Sequence, residues 1–151
     1  MADKVQFELV SPEKLLLSEA VDMVVVPGSE GNFGVLPGHS LLISTVRPGV
    51  IDVYEGKEIG ERIFVSGGFA EVTPERCTVL ADEALPLSSL DAAAIEAGLR
   101  GLEGTLAALR ERAARANGDE RDAALAELRS AEARVAIEQA KLAALRQTAA
   151  H

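Results

Sequence analysis

His39, His151 and Cys77 are the only imidazoles and the only thiol in this chain of 151 residues. Acid–base or nucleophilic chemistry would have to run through them or through carboxylates. A Ser–His–Asp arrangement would use His39, which sits beside Gly38 in a turn-like run where a structural role is the ordinary one. Cys77 alternates with Val79 and has no histidine or basic cluster nearby to draw its thiol toward thiolate. No Cys/His set has metal-ligand spacing. Gly56-Lys57 lacks the upstream glycine and the following hydroxyl of a phosphate loop, so it reads as a hairpin turn. The 24 acidic residues fit a solvated surface. The residues therefore predict no catalytic group, cofactor or metal, and a small hydrolase would rest on His39 alone.

One stretch is dense in unusual residue types: Gly28-Ser29-Glu30-Gly31-Asn32-Phe33-Gly34-Val35-Leu36-Pro37-Gly38-His39. Four glycines, a proline and an exposed-looking Phe33 make it a structured loop. Two consecutive turns with Phe33 tucked into a core would account for it. So would a shaped contact surface for another protein.

The elements that would carry these residues divide sharply in composition. Every proline and aromatic residue lies in the first 86 positions, and the residues past Leu87 include 20 alanines. Proline and aromatics suit turns and sheets, whereas alanine is the strongest helix former. Val5, Phe7 and Leu9 alternate with polar neighbours, the period of a half-buried strand. Ala20 to Val26 reads as one β-branched stretch stopping at Pro27-Gly28. Short runs follow near 33–36, 41–46, 50–54, 62–66, 69–73 and 76–81, each bounded by turn residues. Many short strands without intervening helices predict an antiparallel sandwich or barrel. Asp52, Glu55, Glu58 and Glu61 crowd the Val50–Arg62 hairpin.

From Ser88-Ser89-Leu90-Asp91 the pattern becomes helical, with Ser88 or Ser89 as N-cap and Asp91 near the positive helix end. Ile95, Leu99, Leu102, Leu106 and Leu109 form one stripe. Asn117-Gly118 would end this helix and Asp119 cap a second, in which Leu128, Val135 and Leu142 recur every seven residues as a packing seam. So short a connection predicts an antiparallel hairpin. The chain reads as α+β: a β-sandwich over 1–86, then a hairpin over 87–151 with helices at about 89–116 and 119–147. Single leucines among alanines bury little area. Gly98, Gly101 and Gly104 either allow close helix approach or weaken a helix poised to leave its packed position.

The formal net charge is −9. It is concentrated before Ser89, which argues against nucleic acid or an anionic lipid surface as partner. The lone cysteine suits a reducing compartment. No signal-like or membrane-spanning apolar run is present.

Gly28–His39, Leu41-Leu42, Arg47-Pro48-Gly49, Ser66-Gly67-Gly68-Phe69-Ala70-Glu71-Val72 and Val79-Leu80-Ala81-Asp82, in this order and spacing, resemble the ε subunit of bacterial rotary ATP synthases. The helical half matches as well. The resemblance implies a sandwich of about ten strands with a two-helix C-terminal domain, in a non-catalytic subunit of the central rotor stalk. Its expected partners are the γ subunit and the c-ring, with the α/β catalytic head reached by an extended, inhibitory hairpin. Its expected location is the cytoplasmic face of the bacterial inner membrane, held there by protein contacts. Ser29, Glu30, Gly31, Asn32, Phe33 and His39 would face the c-ring, although relatives often carry an acid where this chain has Asn32. Leu99, Leu102, Leu106, Leu128, Val135 and Leu142 would pack the hairpin. Some relatives bind ATP through an Ile/Leu-Asp-x-x-Arg-Ala motif. Here Leu90-Asp91 is followed by Ala94 in place of the arginine, which leaves Glu83 and Asp91 as weak nucleotide candidates and implies weak or absent ATP binding. A stand-alone ligand-binding sandwich with a helical oligomerisation hairpin is the alternative.

Overall fold

A computed structural model describes residues 3–149, which form ten strands and two long helices. The strands are β1 (Val5–Val10), β2 (Leu15–Val21), β3 (Met23–Gly28), β4 (Gly31–Val35), β5 (Leu42–Val46), β6 (Gly49–Glu55), β7 (Glu58–Val65), β8 (Gly68–Val72), β9 (Arg76–Ala81) and β10 (Ala84–Pro86). They follow one hydrogen-bonded path, β10-β7-β6-β3-β5-β8-β9-β1-β2, with β4 paired to β3 off the path. Alternation decides which side chains go inside. Val5, Phe7 and Leu9 of β1 are buried, as are Cys77, Val79 and Ala81 of β9.

The path doubles back at one residue pair. β3 meets β5 only at Gly28–Val46, flanked by two hydrogen bonds of 2.9 Å, from Ser29 N–H to Thr45 O and from Arg47 N–H to Pro27 O. One continuous apolar core then draws on both halves of the path, from Val24, Val26, Ile51 and Val65 to Phe7, Val46, Val72 and Val79. This closes the strands into a sandwich. The expected antiparallel sandwich holds for every pairing but one: β1 and β9 run parallel, from Gln6–Arg76 to Val10–Leu80. No turn joins these two strands, so their direction is set by how the sheet closes.

The stretch Ala20–Val26 is likewise two strands, divided at Asp22. Its N–H donates to Tyr54 O at 3.1 Å. Its carboxylate accepts the Gly56 N–H at 2.5 Å and lies 2.8 Å from Lys4 Nζ. These hydrogen bonds, from Lys4 and then Gly56, hold the Asp22 carboxyl below its ordinary range. Asp22 thus ties the β2–β3 junction to the β6–β7 turn, where Gly56 supplies a φ of +64° at the first central position.

The acidic β6–β7 hairpin is partly compensated. Asp52 faces Arg62 across the ladder at 3.6 Å, while burial pushes its carboxyl upward. Glu19 of β2 shares a hydrogen bond with Glu61. Its carboxyl is raised by burial first, then by the charge and hydrogen bond of Glu61 and the charge of Glu55.

The chain divides between Ser89 and Leu90 into two compact units. Ser88 and Ser89 lie in a 3-10 turn rather than capping a helix, and Ser89 Oγ donates to Pro86 O at 2.7 Å. Asp91 is the cap: its Oδ1 accepts the Ala93 N–H at 3.0 Å, and α1 (Ala92–Arg115) therefore starts later than expected. Ala116 ends α1 in extended conformation. Gly118, at φ +59°, opens α2 (Gly118–Ala149). Asp119 sits inside the first turn of α2 beside Glu120, where both acids favour the positive helix end.

The helices pack on one another. Leu99, Leu106, Leu109 and Ala113 of α1 are buried, as are Ala124, Leu142 and Ala144 of α2. Leu102, Leu128 and Val135 are only half-buried, so the seven-residue seam is fully buried at Leu142 alone. Alanine dominates α2 and leaves little bulk to close the rest. Arg112 of α1 pairs with Glu127 of α2 at 2.9 Å, an exposed pair worth about 0–1 kcal/mol. Within the helical unit the three α1 glycines do not serve close packing: a methyl group added at Gly98, Gly101 or Gly104 meets nothing of α2 within 4 Å.

Two outcomes follow. With its folded-state pKa raised, Glu19 binds more protons in the native chain than in the unfolded one. Stability attached to it is lost as pH rises from the ordinary glutamate range through the raised value. Glu19→Gln should raise the melting temperature at pH 7 and lose that gain near pH 4.5, the ordinary value; an equal shift at both pH values would refute this. Replacing Gly98, Gly101 and Gly104 by alanine should stabilise α1 by about 2–3 kcal/mol in total. Slower amide hydrogen exchange across Ala92–Arg115 would show it, and unchanged exchange would not fit.

Candidate functional site

The Gly28–His39 stretch is mainly a β-hairpin. β3 and β4 pair from Val24–Val35 to Gly28–Gly31, leaving Ser29 and Glu30 exposed at the tip. Gly31, at φ +135°, takes the backbone conformation that follows so tight a reversal. The Phe33 ring lies against Gly28: a methyl group there would come within 2.9 Å of it. Phe33 also packs on the core, which corrects its exposed appearance in the sequence. It supports the hairpin from inside.

On the other side the hairpin is held by Arg47, the residue after β5. Nη1 of Arg47 donates to Gly28 O at 2.5 Å, and Nη2 donates to Asn32 Oδ1 at 2.6 Å. Asn32 is exposed, and its side-chain oxygen is engaged within the chain. His39 is half-buried in the following loop. Its N–H donates to Leu36 O at 3.2 Å, and its Nδ1 donates to Ser40 O at 2.7 Å. The structure thus gathers Ser29, Glu30, Gly31 and Asn32 at one tip and gives Phe33 and His39 supporting positions.

A second surface escaped the sequence reading. Phe69 of β8 faces Leu80 of β9, Leu80 faces Val10 of β1, and Val10 faces Leu15 of β2. This row crosses four strands, roughly 14 Å at the usual strand spacing, on the outer side of the sheet. Phe69, Leu80 and Leu15 are 56%, 53% and 54% exposed; Ile43, which pairs with Glu71 one row away, and Leu41 beyond it are each 76% exposed. The next row out carries Glu71 and Glu8, in register with Thr78. On β8 the small Ala70 points inward and the large Phe69 outward, the reverse of the usual preference. Gly68 lets β8 and β9 approach closely: a methyl group there would lie 1.9 Å from Leu80 O. The signal available in the sequence was the Phe69-Ala70 pair next to Gly67-Gly68.

The other chemical candidates are engaged structurally. Cys77 is fully buried, and burial pushes its thiol up to about 12. Among the described residues, no group of three or more His, Cys, Asp or Glu side chains could hold a metal ion. The Asp91 carboxylate caps α1. Glu83 belongs to the sandwich unit and Asp91 to the helical one. Ala94 is exposed. His151 lies outside the described residues.

A sandwich that turns a row of apolar side chains outward beside a braced hairpin, with a separate helical unit following it in the chain, has the build of a subunit that works through protein contact. A family model for the β-sandwich domain of the ATP synthase delta/epsilon chain matches residues 4–87. The ATP synthase epsilon chain of Rhodospirillum centenum is 54% identical over 144 residues, covering 94% of this chain and 92% of that one. That of Rhodospirillum rubrum is 59% identical over 106 residues, covering 70% and 79% respectively. Among solved structures, a chain in the cryo-EM structure of the Euglena gracilis mitochondrial ATP synthase, OSCP/F1/c-ring in rotational state 1, superposes with a TM-score of 0.65. The identity there is 24%, over 94% of this chain and 81% of that one, a likeness of fold. The chain belongs to the ATP synthase epsilon chain family.

Because Phe69 and Leu80 are more than half exposed, replacing both by serine should move the melting temperature by no more than about 3 °C. Retention on a hydrophobic-interaction matrix should fall clearly. A large loss of stability would instead place these side chains in the core.

Proposed function

We propose that this chain is a non-catalytic central-stalk subunit of ATP synthase, in which the sandwich joins the γ subunit to the c-ring and carries ring rotation to γ. The observation that carries the reading is the outward apolar row Phe69–Leu80–Val10–Leu15 with Ile43 and Leu41, which a partner would have to cover. That face takes γ. The tip at Ser29, Glu30 and Asn32, a polar end on a braced support, takes the polar loops of the ring. Membership of the epsilon chain family supports both assignments. No helix among the described residues is long and apolar enough to cross a membrane. In this reading the chain is held at the cytoplasmic face of the bacterial inner membrane through its partners.

The helical unit is the candidate inhibitor of ATP hydrolysis, reaching the α/β head when extended. Support comes from its slender packing: few buried leucines, half-buried seam positions and three unpacked glycines in α1. Such an element lies at the low end of local stability, where moving parts are drawn from. Asp91 serves as a helix cap and Ala94 carries no charge, so nucleotide binding is not assigned to this unit.

The test compares ATP synthase assembled with the full chain and with a version ending at Leu87. The shortened chain should sustain proton-driven ATP synthesis and release ATP hydrolysis several-fold. Equal hydrolysis rates would remove the inhibitory role. Loss of coupled synthesis with both versions, despite incorporation, would remove the rotor assignment.

A further inference from the structure

The tip of the β3–β4 hairpin is tied to β5 through the main chain, where Ser29 N–H donates to Thr45 O at 2.9 Å, and through one side chain. Arg47 stands at the only point where β3 and β5 meet, immediately after Val46. Its main chain donates to Pro27 O at 2.9 Å. Its guanidinium donates to Gly28 O at 2.5 Å and to Asn32 Oδ1 at 2.6 Å. One residue thus grips both strands of the hairpin, one residue before the Ser29-Glu30 turn and one residue after its closing glycine. Both acceptors of the guanidinium are uncharged, so the planar fork is used for geometry, which the freely rotating ammonium of lysine does not fix in the same way. Gly28 cannot yield to the opposite side, because Phe33 occupies the space a side chain would need.

We propose that Arg47 is the positioning residue of the tip: it fixes where Glu30 and Ser29 stand relative to the sandwich, and Asn32 is the neutral acceptor that lets it do so. The role rests on the reading that the tip meets the c-ring. A hairpin held this way presents its turn in one orientation, so little ordering remains to oppose docking. Asn32 then acts through Arg47, and Glu30 is the anionic group offered to the partner.

The test uses the full-length chain and ATP synthase depleted of it. Arg47→Met and Arg47→Lys should each leave the melting temperature within a few degrees and speed amide exchange at Ser29 and Gly31. Each should weaken rebinding to the depleted complex by about tenfold, the cost of ordering on docking a tip that is no longer held. Lysine should behave like methionine, since the fork and not the charge is at issue. In a Ser29→Ala/Glu30→Ala background, Arg47→Met should add little further loss. If Arg47→Met leaves tip exchange unchanged, or if Arg47→Lys rebinds like the native chain, the positioning role is overturned. If Ser29→Ala/Glu30→Ala itself rebinds normally, the ring-contact reading fails, and the role of Arg47 in docking falls with it. An accelerated tip exchange under Arg47→Met would then mark a brace of the free hairpin only.

Discussion

The sandwich turns on a single backbone pair. Gly28–Val46 is the one ladder pair that joins the β10-β7-β6-β3 half of the path to the β5-β8-β9-β1-β2 half, with the Ser29–Thr45 and Arg47–Pro27 hydrogen bonds beside it. The chain can fold back there because Gly28 has no side chain: Phe33 and the Gly31 carbonyl would each lie 2.9 Å from an added methyl group. Nearby, a methyl group on Gly49 would stand 3.0 Å from the Pro27 ring. The crowding leaves this corner little freedom to splay. Both outward surfaces depend on it, the tip continuing from Gly28 and the apolar face reached from Val46 back along β5.

The apolar face shows how a register can favour an interface over a core. A buried phenylalanine contributes about 1.5–3 kcal/mol more than an exposed one, yet β8 buries Ala70 and exposes Phe69. A one-residue slip in either direction would reverse every side chain of the strand and turn the Glu71 carboxylate inward, where an unpaired charge is costly. The free energy not gained in folding remains available on association. The helical unit shows a similar economy, with α1 spending three exposed positions on glycine, where alanine would favour the helix.

Much of this was legible in the residues. The composition break near Leu87, the alternation in Val5–Val10 and the Gly56-Lys57 turn all declare themselves locally, because period and turn chemistry are local properties. Three features were not. The division at Asp22 depends on a hydrogen bond to Gly56, distant in the chain. The parallel β1–β9 pair depends on closure of the whole sheet. The outward row depends on which face of each strand meets the core, and strands such as Leu42–Val46 and Arg76–Ala81 carry apolar residues on both. The Gly28–His39 stretch was conspicuous in sequence, but the brace that organises it comes from Arg47 and lies beyond any local window.

The parallel pair bears on how the chain reaches this state. Gln6 and Arg76 are partners roughly seventy residues apart in the chain, whereas α1 and α2 meet across a two-residue link. Contacts so distant slow folding, because a large loop must close before they reward it. As the chain leaves the ribosome, β1 and β2 form a ribbon whose inner edge stays unpaired until β9 emerges. During that interval the edge is open to other strands. β1 is thus made well before the strand that completes its pairing.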